Sequence, residues 1–189
     1  LLKPNDTVWF ENPGALGARN ALLTARAKLQ PIPVDQDGII VEEGLRRAPD
    51  FRLAFVTPTH QQPLGVKMSL ARRIELLKAA EAANAWIIED DYDSEFHYVN
   101  HRLPSLKSVD QNDRVLYVGT FSKTLFPDLR LGYILVPESL VDSFVRIFES
   151  VLPNVSTSSQ AVLSSFMDEG HFGGHLRRMR HIYSERHQV

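Results

Sequence analysis

Apolar segments alternate along the chain with stretches of helical periodicity. Six segments predict strands, and several of them are apolar at nearly every position, as in strands buried on both faces of a parallel sheet. They are Thr7–Phe10, Leu29–Val34, Leu53–Thr57, Trp86–Glu89, Val115–Val118 and Leu131–Val136. Between them, apolar positions recur at the spacing of one helix face. The alternation predicts an α/β fold with a mostly parallel sheet.

Helices are predicted in four of the intervening stretches. Ser69 is a suitable N-cap for a helix over Leu70–Asn84. Pro137 opens another helix, because proline is favoured at the first helical position. The other two are predicted over Ser158–Met167 and Leu176–Arg186, and the last has no stop signal before the chain ends.

Composition narrows the class of protein. The chain has 189 residues, of which 43% are apolar, which is enough for one globular domain with a core. Its net charge of −2 argues against a surface devoted to nucleic acid or anionic membrane, and the absence of cysteine excludes disulfides, cysteine-ligated zinc and thiol nucleophiles. With neither a signal peptide nor an apolar run near the roughly 20 residues of a membrane span, a soluble, cytoplasmic protein is expected. The missing initiator Met suggests a piece of a longer chain.

An acidic segment follows the strand predicted over Trp86–Glu89. Five of the seven residues in Glu89–Glu95 carry carboxylates, which repel one another unless they point in different directions or have partners. The segment lacks the spacing of an EF-hand, and the chain has no P-loop that would make it the magnesium-binding end of a nucleotide site. Two interpretations stay open: one aspartate binds a cationic ligand, or the whole segment is a solvated acidic turn.

A lysine follows the next strand, in the hydroxyl-rich segment 119–124. Ligands of parallel sheets bind beyond the carboxyl ends of the strands, so Lys123 is well placed for chemistry. A lysine kept neutral by desolvation can attack a carbonyl and form a Schiff base. Arg130 comes seven residues later, and its planar fork suits a phosphate. Taken singly, a surface lysine and a structural arginine are the alternatives.

Together these features match the needs of pyridoxal phosphate, which requires a lysine, a carboxylate for its ring nitrogen, and hydroxyls with an arginine for its phosphate. Residues 87–96 and 119–133 resemble fold-type-I, class I aminotransferases. More narrowly, they are similar to the aminotransferase-like domain of MocR/GabR-type transcription regulators of the GntR superfamily. Residues 57–65 resemble the T-P-x-H-Q-x-P-x-G loop of that subfamily, and residues 11–14 and 34–38 also fit its pattern.

The resemblance implies a three-layer α/β/α architecture, the large domain of the fold-type-I aminotransferases, with the cofactor held as a Schiff base on Lys123. Asp90 would pair with the pyridine nitrogen, and Tyr92 would bond the ring hydroxyl. The phosphate would be held by Thr120, Ser122 and Arg130. Asp90 is preferred over Asp91 because residues 90 and 92 point to the same side of an extended segment. Asp91 and Asp93 would then be structural or solvated.

Some positions depart from the subfamily or rank second. Ala15-Leu16 stands where an aromatic residue usually stacks on the ring, which would weaken cofactor binding by about 1 kcal/mol unless Leu16 or another side chain covers that face. Asp128 either bridges to Arg130 or faces water. His60 and Gln61 are second-rank candidates near the ring hydroxyl.

No metal site is predicted. His171 and His175 are four residues apart, but Gly173-Gly174 between them argues against a helical ligand face, and the chain has no H-E-x-x-H.

The implied function is that of a pyridoxal-phosphate-binding effector domain that senses an amino compound within a GntR/MocR-type regulator. Residues 1–189 would be the central part of the large domain, and about 170–189 would begin the helix that leads to a small domain outside this chain. The full-length protein would be a homodimer and would contact DNA only through an N-terminal helix-turn-helix, since this chain contains no DNA-binding domain. A stand-alone class I aminotransferase, acting on an amino acid and a 2-oxo acid, is the alternative that the motifs do not separate.

Overall fold

The computed structural model describes residues 1–96, 103–151 and 156–187. These residues include a seven-stranded sheet and seven α-helices. The strands are β1 (Thr7–Asn12), β2 (Lys28–Asp35), β3 (Gly38–Ile39), β4 (Leu53–Val56), β5 (Trp86–Asp91), β6 (Val115–Thr120) and β7 (Gly132–Leu135). The α-helices are α1 (Leu16–Thr24), α2 (Val41–Arg47), α3 (Leu70–Ala82), α4 (Leu106–Val109), α5 (Val141–Val151), α6 (Thr157–Asp168) and α7 (His171–His187).

The strand order is β3-β2-β1-β4-β5-β6-β7. The pairs β1–β2, β1–β4, β4–β5 and β5–β6 are parallel, and only the two-residue strand β3 pairs antiparallel among the described pairs. The predicted α/β fold with a mostly parallel sheet is therefore confirmed. Because the central strands are parallel, the turns that follow β1, β4, β5 and β6 leave the sheet at its carboxyl edge.

All six predicted strands are present; β1, β2, β5 and β6 extend beyond their predicted bounds, whereas β4 and β7 are shorter than predicted. β5 continues through Asp91 and β6 through Thr120, so the acidic and hydroxyl residues begin inside the strands. The predicted cap of α3 is confirmed, since the Ser69 side chain accepts a hydrogen bond from the backbone N–H of Arg72 at 3.3 Å. The strand β3 and the helices α1 and α2 are too short or too weakly periodic to be predicted.

One helix expectation is wrong. α7 begins at His171, so Gly173 and Gly174 lie inside the helix rather than interrupting it. Tertiary contacts offset the low helix propensity of the two glycines. The Phe172 ring packs edge-on against Phe121 with centroids 5.9 Å apart, and the His175 ring nitrogen Nε2 lies 2.8 Å from the carbonyl oxygen of Thr124.

The chain divides into two compact units. The first comprises residues 1–91, 103–119 and 134–137, and its larger core centres on Trp9, whose ring stacks on Phe51 at 3.8 Å. The second comprises the described parts of 92–102, 120–133 and 138–189. No described helix is both long and apolar enough to cross a membrane.

Candidate functional site

The acidic segment after Trp86 divides between the two faces of the sheet. Along β5, exposure alternates, so that Glu89 and Asp91 are buried while Asp90 is half-buried. The separation of Asp90 from Asp91 that strand alternation predicts is therefore present in the structure. Repulsion between adjacent carboxylates is reduced because neighbouring side chains point in opposite directions.

Glu89 is fully buried and serves the fold. Its two carboxylate oxygens accept hydrogen bonds from the backbone N–H groups of Leu106 (2.8 Å) and Lys107 (2.9 Å), at the start of α4. Arg73, itself 2% exposed, pairs with Glu89 at 3.6 Å between Nη1 and Oε1 and donates to the carbonyl oxygens of Met68 and Pro58. Burial raises the pKa of Glu89, and the backbone donors and Arg73 act against that rise. This carboxylate is thus committed to the fold.

Asp91 is also engaged, by a neighbouring strand. Its Oδ2 accepts a hydrogen bond of 2.6 Å from the hydroxyl of Tyr117 on β6, and the residue is 6% exposed. Of the two alternatives for Asp91, structural or solvated, the structure supports the first. Asp93 is half-buried, as are Asp90 and Tyr92. Among the three carboxylates of β5, Asp90 is the one on the less buried face.

In the second unit, the predicted phosphate ligands come together. Thr120, Ser122 and Arg130, with Leu131 and Gly132, line a cavity of about 230 Å³. The turn that shapes this cavity is held by the backbone N–H of Ser122, which donates to the Thr120 hydroxyl at 3.1 Å. The N–H of Phe121 donates to the carbonyl oxygen of Leu131 at 3.0 Å, so the segments on either side of the cavity are joined.

Arg130 has a left-handed backbone conformation, with φ 50° and ψ 29°, at the end of the 3-10 turn Pro127–Leu129. Non-glycine residues in that region are uncommon and cluster at functional sites. Asp128 is exposed within the same turn. Arg130 lines the cavity two residues before β7 begins at Gly132.

Lys123 lies in the turn between the cavity-lining Ser122 and the buried Thr124. The Thr124 hydroxyl donates to the carbonyl oxygen of Phe121 at 3.3 Å, and the Thr124 carbonyl is bonded to His175. These contacts fix the backbone on the carboxyl side of the lysine. Lys123 itself is exposed, so the desolvation that the sequence predicts is not provided by the described residues.

The whole chain, residues 1–189, matches the family described as aminotransferase class I and II. The chain belongs to this aminotransferase family. Within it, the chain is 47% identical over 189 residues to the probable rhizopine catabolism regulatory protein MocR of Rhizobium meliloti, and it covers 38% of that protein. It is 36% identical to the HTH-type transcriptional regulator TauR of Rhodobacter capsulatus, again covering 38%. Relatives of this aminotransferase-family chain thus include transcription regulators.

Solved structures give the same fold. The aminotransferase-family chain superposes on a Pyrococcus horikoshii kynurenine aminotransferase, solved in complex with PMP, with a TM-score of 0.91 and 30% identity. The match covers 98% of this chain and 48% of that one. The chain therefore spans less than half the length of each of these two regulators and of the kynurenine aminotransferase.

The other candidate positions of the aminotransferase-family chain lie in the first unit, where sequence reasoning missed the role of Glu11. Gln61 is 2% exposed, and its side-chain amide forms hydrogen bonds within the first unit. His60 is half-buried. Glu11 is also 2% exposed. In the sequence it stands out only as the first residue of the short motif at residues 11–14. Leu16, a candidate cover for the ring, is 73% exposed. Among the described residues, no group of three or more His, Asp or Glu side chains could hold a metal ion.

Proposed function

We propose that this chain is the pyridoxal-phosphate-binding effector domain of a GntR/MocR-type transcription regulator, and that it senses an amino compound. The observation that carries the proposal is the cavity lined by Thr120, Ser122 and Arg130, in a turn that continues from Ser122 directly into Lys123. Two hydroxyls and a guanidinium suit a dianionic phosphate, and a primary amine next to them suits an aldehyde on the same molecule. The residues present therefore fit the cofactor.

Each residue has a role of its own. Lys123 would hold the cofactor through its side-chain nitrogen, and Arg130 would neutralise the phosphate. Asp90 would hold a proton on the ring nitrogen, because a carboxylate stabilises the cationic form of a neighbouring base. Tyr92 would donate to the ring hydroxyl. When bound, pyridoxal phosphate supplies an aldehyde that condenses with primary amines and a ring that accepts electrons.

The relatives support the regulatory half of the proposal, since MocR and TauR are described as regulators. An amino compound that competes with Lys123 for the cofactor would change the contacts of the lysine side chain. A change of that kind can shift the DNA affinity of a helix-turn-helix elsewhere in the full-length protein, if the two states of the domain bind DNA differently. We also propose that the full-length protein is a homodimer, and a monomer in sedimentation at high concentration would overturn that.

Cofactor binding is tested by visible absorbance of the purified full-length protein with added pyridoxal phosphate. We expect a new band and a borohydride-trapped adduct on Lys123, both abolished in Lys123→Ala. The matched control is Lys78→Ala, because Lys78 is an exposed lysine on α3, in the first unit. A wild-type protein without band or adduct would show that the cofactor proposal is wrong.

The phosphate cavity has a separate test. Arg130→Ala should weaken pyridoxal phosphate binding roughly ten- to hundredfold, the worth of a hydrogen bond to a charged group. Arg130→Lys should recover part of that loss, since it restores the charge without the fork. Unchanged affinity in Arg130→Ala would remove Arg130 from the phosphate site.

A stand-alone aminotransferase is the second candidate, favoured by the fold shared with the kynurenine aminotransferase. The two are separated by measuring DNA affinity and product formation in the same full-length preparation. For the regulator, an amino compound changes DNA affinity without repeated turnover of an amino acid with a 2-oxo acid. Repeated turnover with unchanged DNA affinity would favour the enzyme.

A further inference from the structure

A buried carboxyl group lies at the end of β1. Glu11 is 2% exposed, and its Oε2 accepts three hydrogen bonds: from the Thr57 hydroxyl (2.7 Å), the Thr57 backbone N–H (3.3 Å) and the Gln61 amide (3.1 Å). Its Oε1 is buried and has no hydrogen-bond partner among the described residues. Donors thus converge on one oxygen, while the other is buried without a donor among the described residues.

Gln61 extends this contact to two turns. Its Nε2 lies 2.8 Å from the carbonyl oxygen of Pro13 and 2.9 Å from that of Gln62, and its Oε1 accepts from the N–H of Leu64 at 3.1 Å. The first contact is to the turn after β1, and the others are within the turn after β4. Glu11 and Gln61 together therefore join these two turns, and we call the pair the Glu11–Gln61 clamp.

The clamp lies beside Asp90. β4 is the strand between β1 and β5, and Val56 is in register with Glu89, so Thr57 comes level with Asp90 at the carboxyl edge. A ligand bound at Asp90 would thus lie next to the turn after β4, which the clamp holds.

The surroundings favour the neutral form of Glu11. Burial raises its pKa to about 7, the three donors act in the opposite direction, and the negative charge of Asp90 adds to the rise. Arg19 of α1 lines the same cavity as Glu11, a space of about 550 Å³. Asp90 and Arg19 are thus the charged neighbours that a titration of Glu11 must take into account.

We propose that Glu11 is a positioning residue that, paired with Gln61, clamps the turns after β1 and β4 into a preformed seat beside Asp90. The inference rests on the proposed function, because the group that this seat would hold is the pyridine ring of the cofactor. A cationic ring nitrogen paired with Asp90 would cancel the charge that disfavours ionisation of Glu11. By linkage, ionisation of Glu11 would then strengthen cofactor binding as pH rises.

The protonation state is tested without cofactor. Infrared spectra of the full-length apoprotein at about pH 6 should contain a carboxylic-acid carbonyl band that disappears as pH rises through 7 and that is missing in Glu11→Gln. Glu42→Gln is the control, because Glu42 is an exposed glutamate of the same unit. A band unchanged in Glu11→Gln would overturn a protonated Glu11.

The positioning role is tested by absorbance titration with pyridoxal phosphate. At about pH 6, Glu11→Gln should bind within about twofold of wild type, because the amide copies the neutral acid. Glu11→Ala and Gln61→Ala should each bind roughly tenfold more weakly, the cost of a lost buried hydrogen bond. The double alanine variant should be no weaker than the worse single variant, because both act through one clamp.

The pH profile distinguishes positioning from general support of the fold. The ratio of dissociation constants, Glu11→Gln over wild type, should rise by about threefold between pH 6 and pH 8.5, since only wild type gains the extra charge near the ring. A ratio that stays constant with pH would overturn the inference, and so would wild-type affinity in Glu11→Ala. In either case, cofactor binding by the wild-type protein would leave the proposed function intact. No uptake by wild type would overturn both.

Discussion

Replacing Glu11 with glutamine is expected to remove a pH dependence from the stability of the first unit. The pKa of Glu11 is about 7 in the folded chain and near 4.5 when the residue is exposed by unfolding. The folded state therefore binds this proton more tightly, and the resulting stabilisation is complete below pH 4.5 and is lost as pH rises through 7. At about 1.4 kcal/mol per tenfold difference in proton affinity, the loss amounts to about 3 kcal/mol.

The assay is urea denaturation of the cofactor-free, full-length protein at several pH values from about 5 to 8. Tryptophan fluorescence reports on the relevant region, because Trp9 and Trp86 both lie in the first unit. We expect the free energy of unfolding of wild type to fall with pH relative to Glu11→Gln, while Glu42→Gln follows wild type. Parallel curves for wild type and Glu11→Gln would refute the assignment of a raised pKa to Glu11.

Two further changes test the packing around the site. Arg73→Met should destabilise the protein by about 3–5 kcal/mol in the same denaturation assay, because it leaves Glu89 buried without its cation. Adding Glu89→Gln should recover part of the loss. An unaltered urea midpoint in Arg73→Met would contradict the pairing. Gly44→Ala should lower the melting temperature, at a cost of about 1–3 kcal/mol, since the added Cβ would lie 2.6 Å from the Trp9 ring. Gly17→Ala on α1 meets nothing within 4 Å and should be neutral or slightly stabilising, and equal melting temperatures for the two variants would contradict the packing argument.

Hydrophobic periodicity predicted the strands that form most of the sheet. It failed where a structural feature depends on contacts between residues far apart in the sequence. The strands β1, β4 and β5 were predictable because their apolar runs are continuous, and the cap at Ser69 was predictable because its partner is three residues away. The glycines in α7 were misjudged because the contacts that hold that helix come from residues about fifty positions earlier. Local propensity cannot report on such contacts.

The residues of the candidate site also divide into those that the sequence could predict and those that it could not. Thr120, Ser122 and Arg130 were predictable as a group because they lie within eleven residues and need only one turn to meet. Glu11 and Gln61 are fifty positions apart, and nothing in either segment indicates that the two side chains touch. Their pairing depends on β1 and β4 being adjacent in the sheet, which a single sequence does not reveal.

The carboxyl groups near the sheet's carboxyl edge form a consistent arrangement. Buried carboxylates are costly unless they are paired or protonated. Glu89 meets two backbone donors and Arg73, Asp91 meets the hydroxyl of Tyr117, and burial raises the pKa of Glu11 to about 7. Arg73 thereby offsets the charge of Glu89, and Glu11 is only partly ionised near pH 7. If a cationic ring pairs with Asp90 as proposed, ionisation of Glu11 would increase the attraction at this edge.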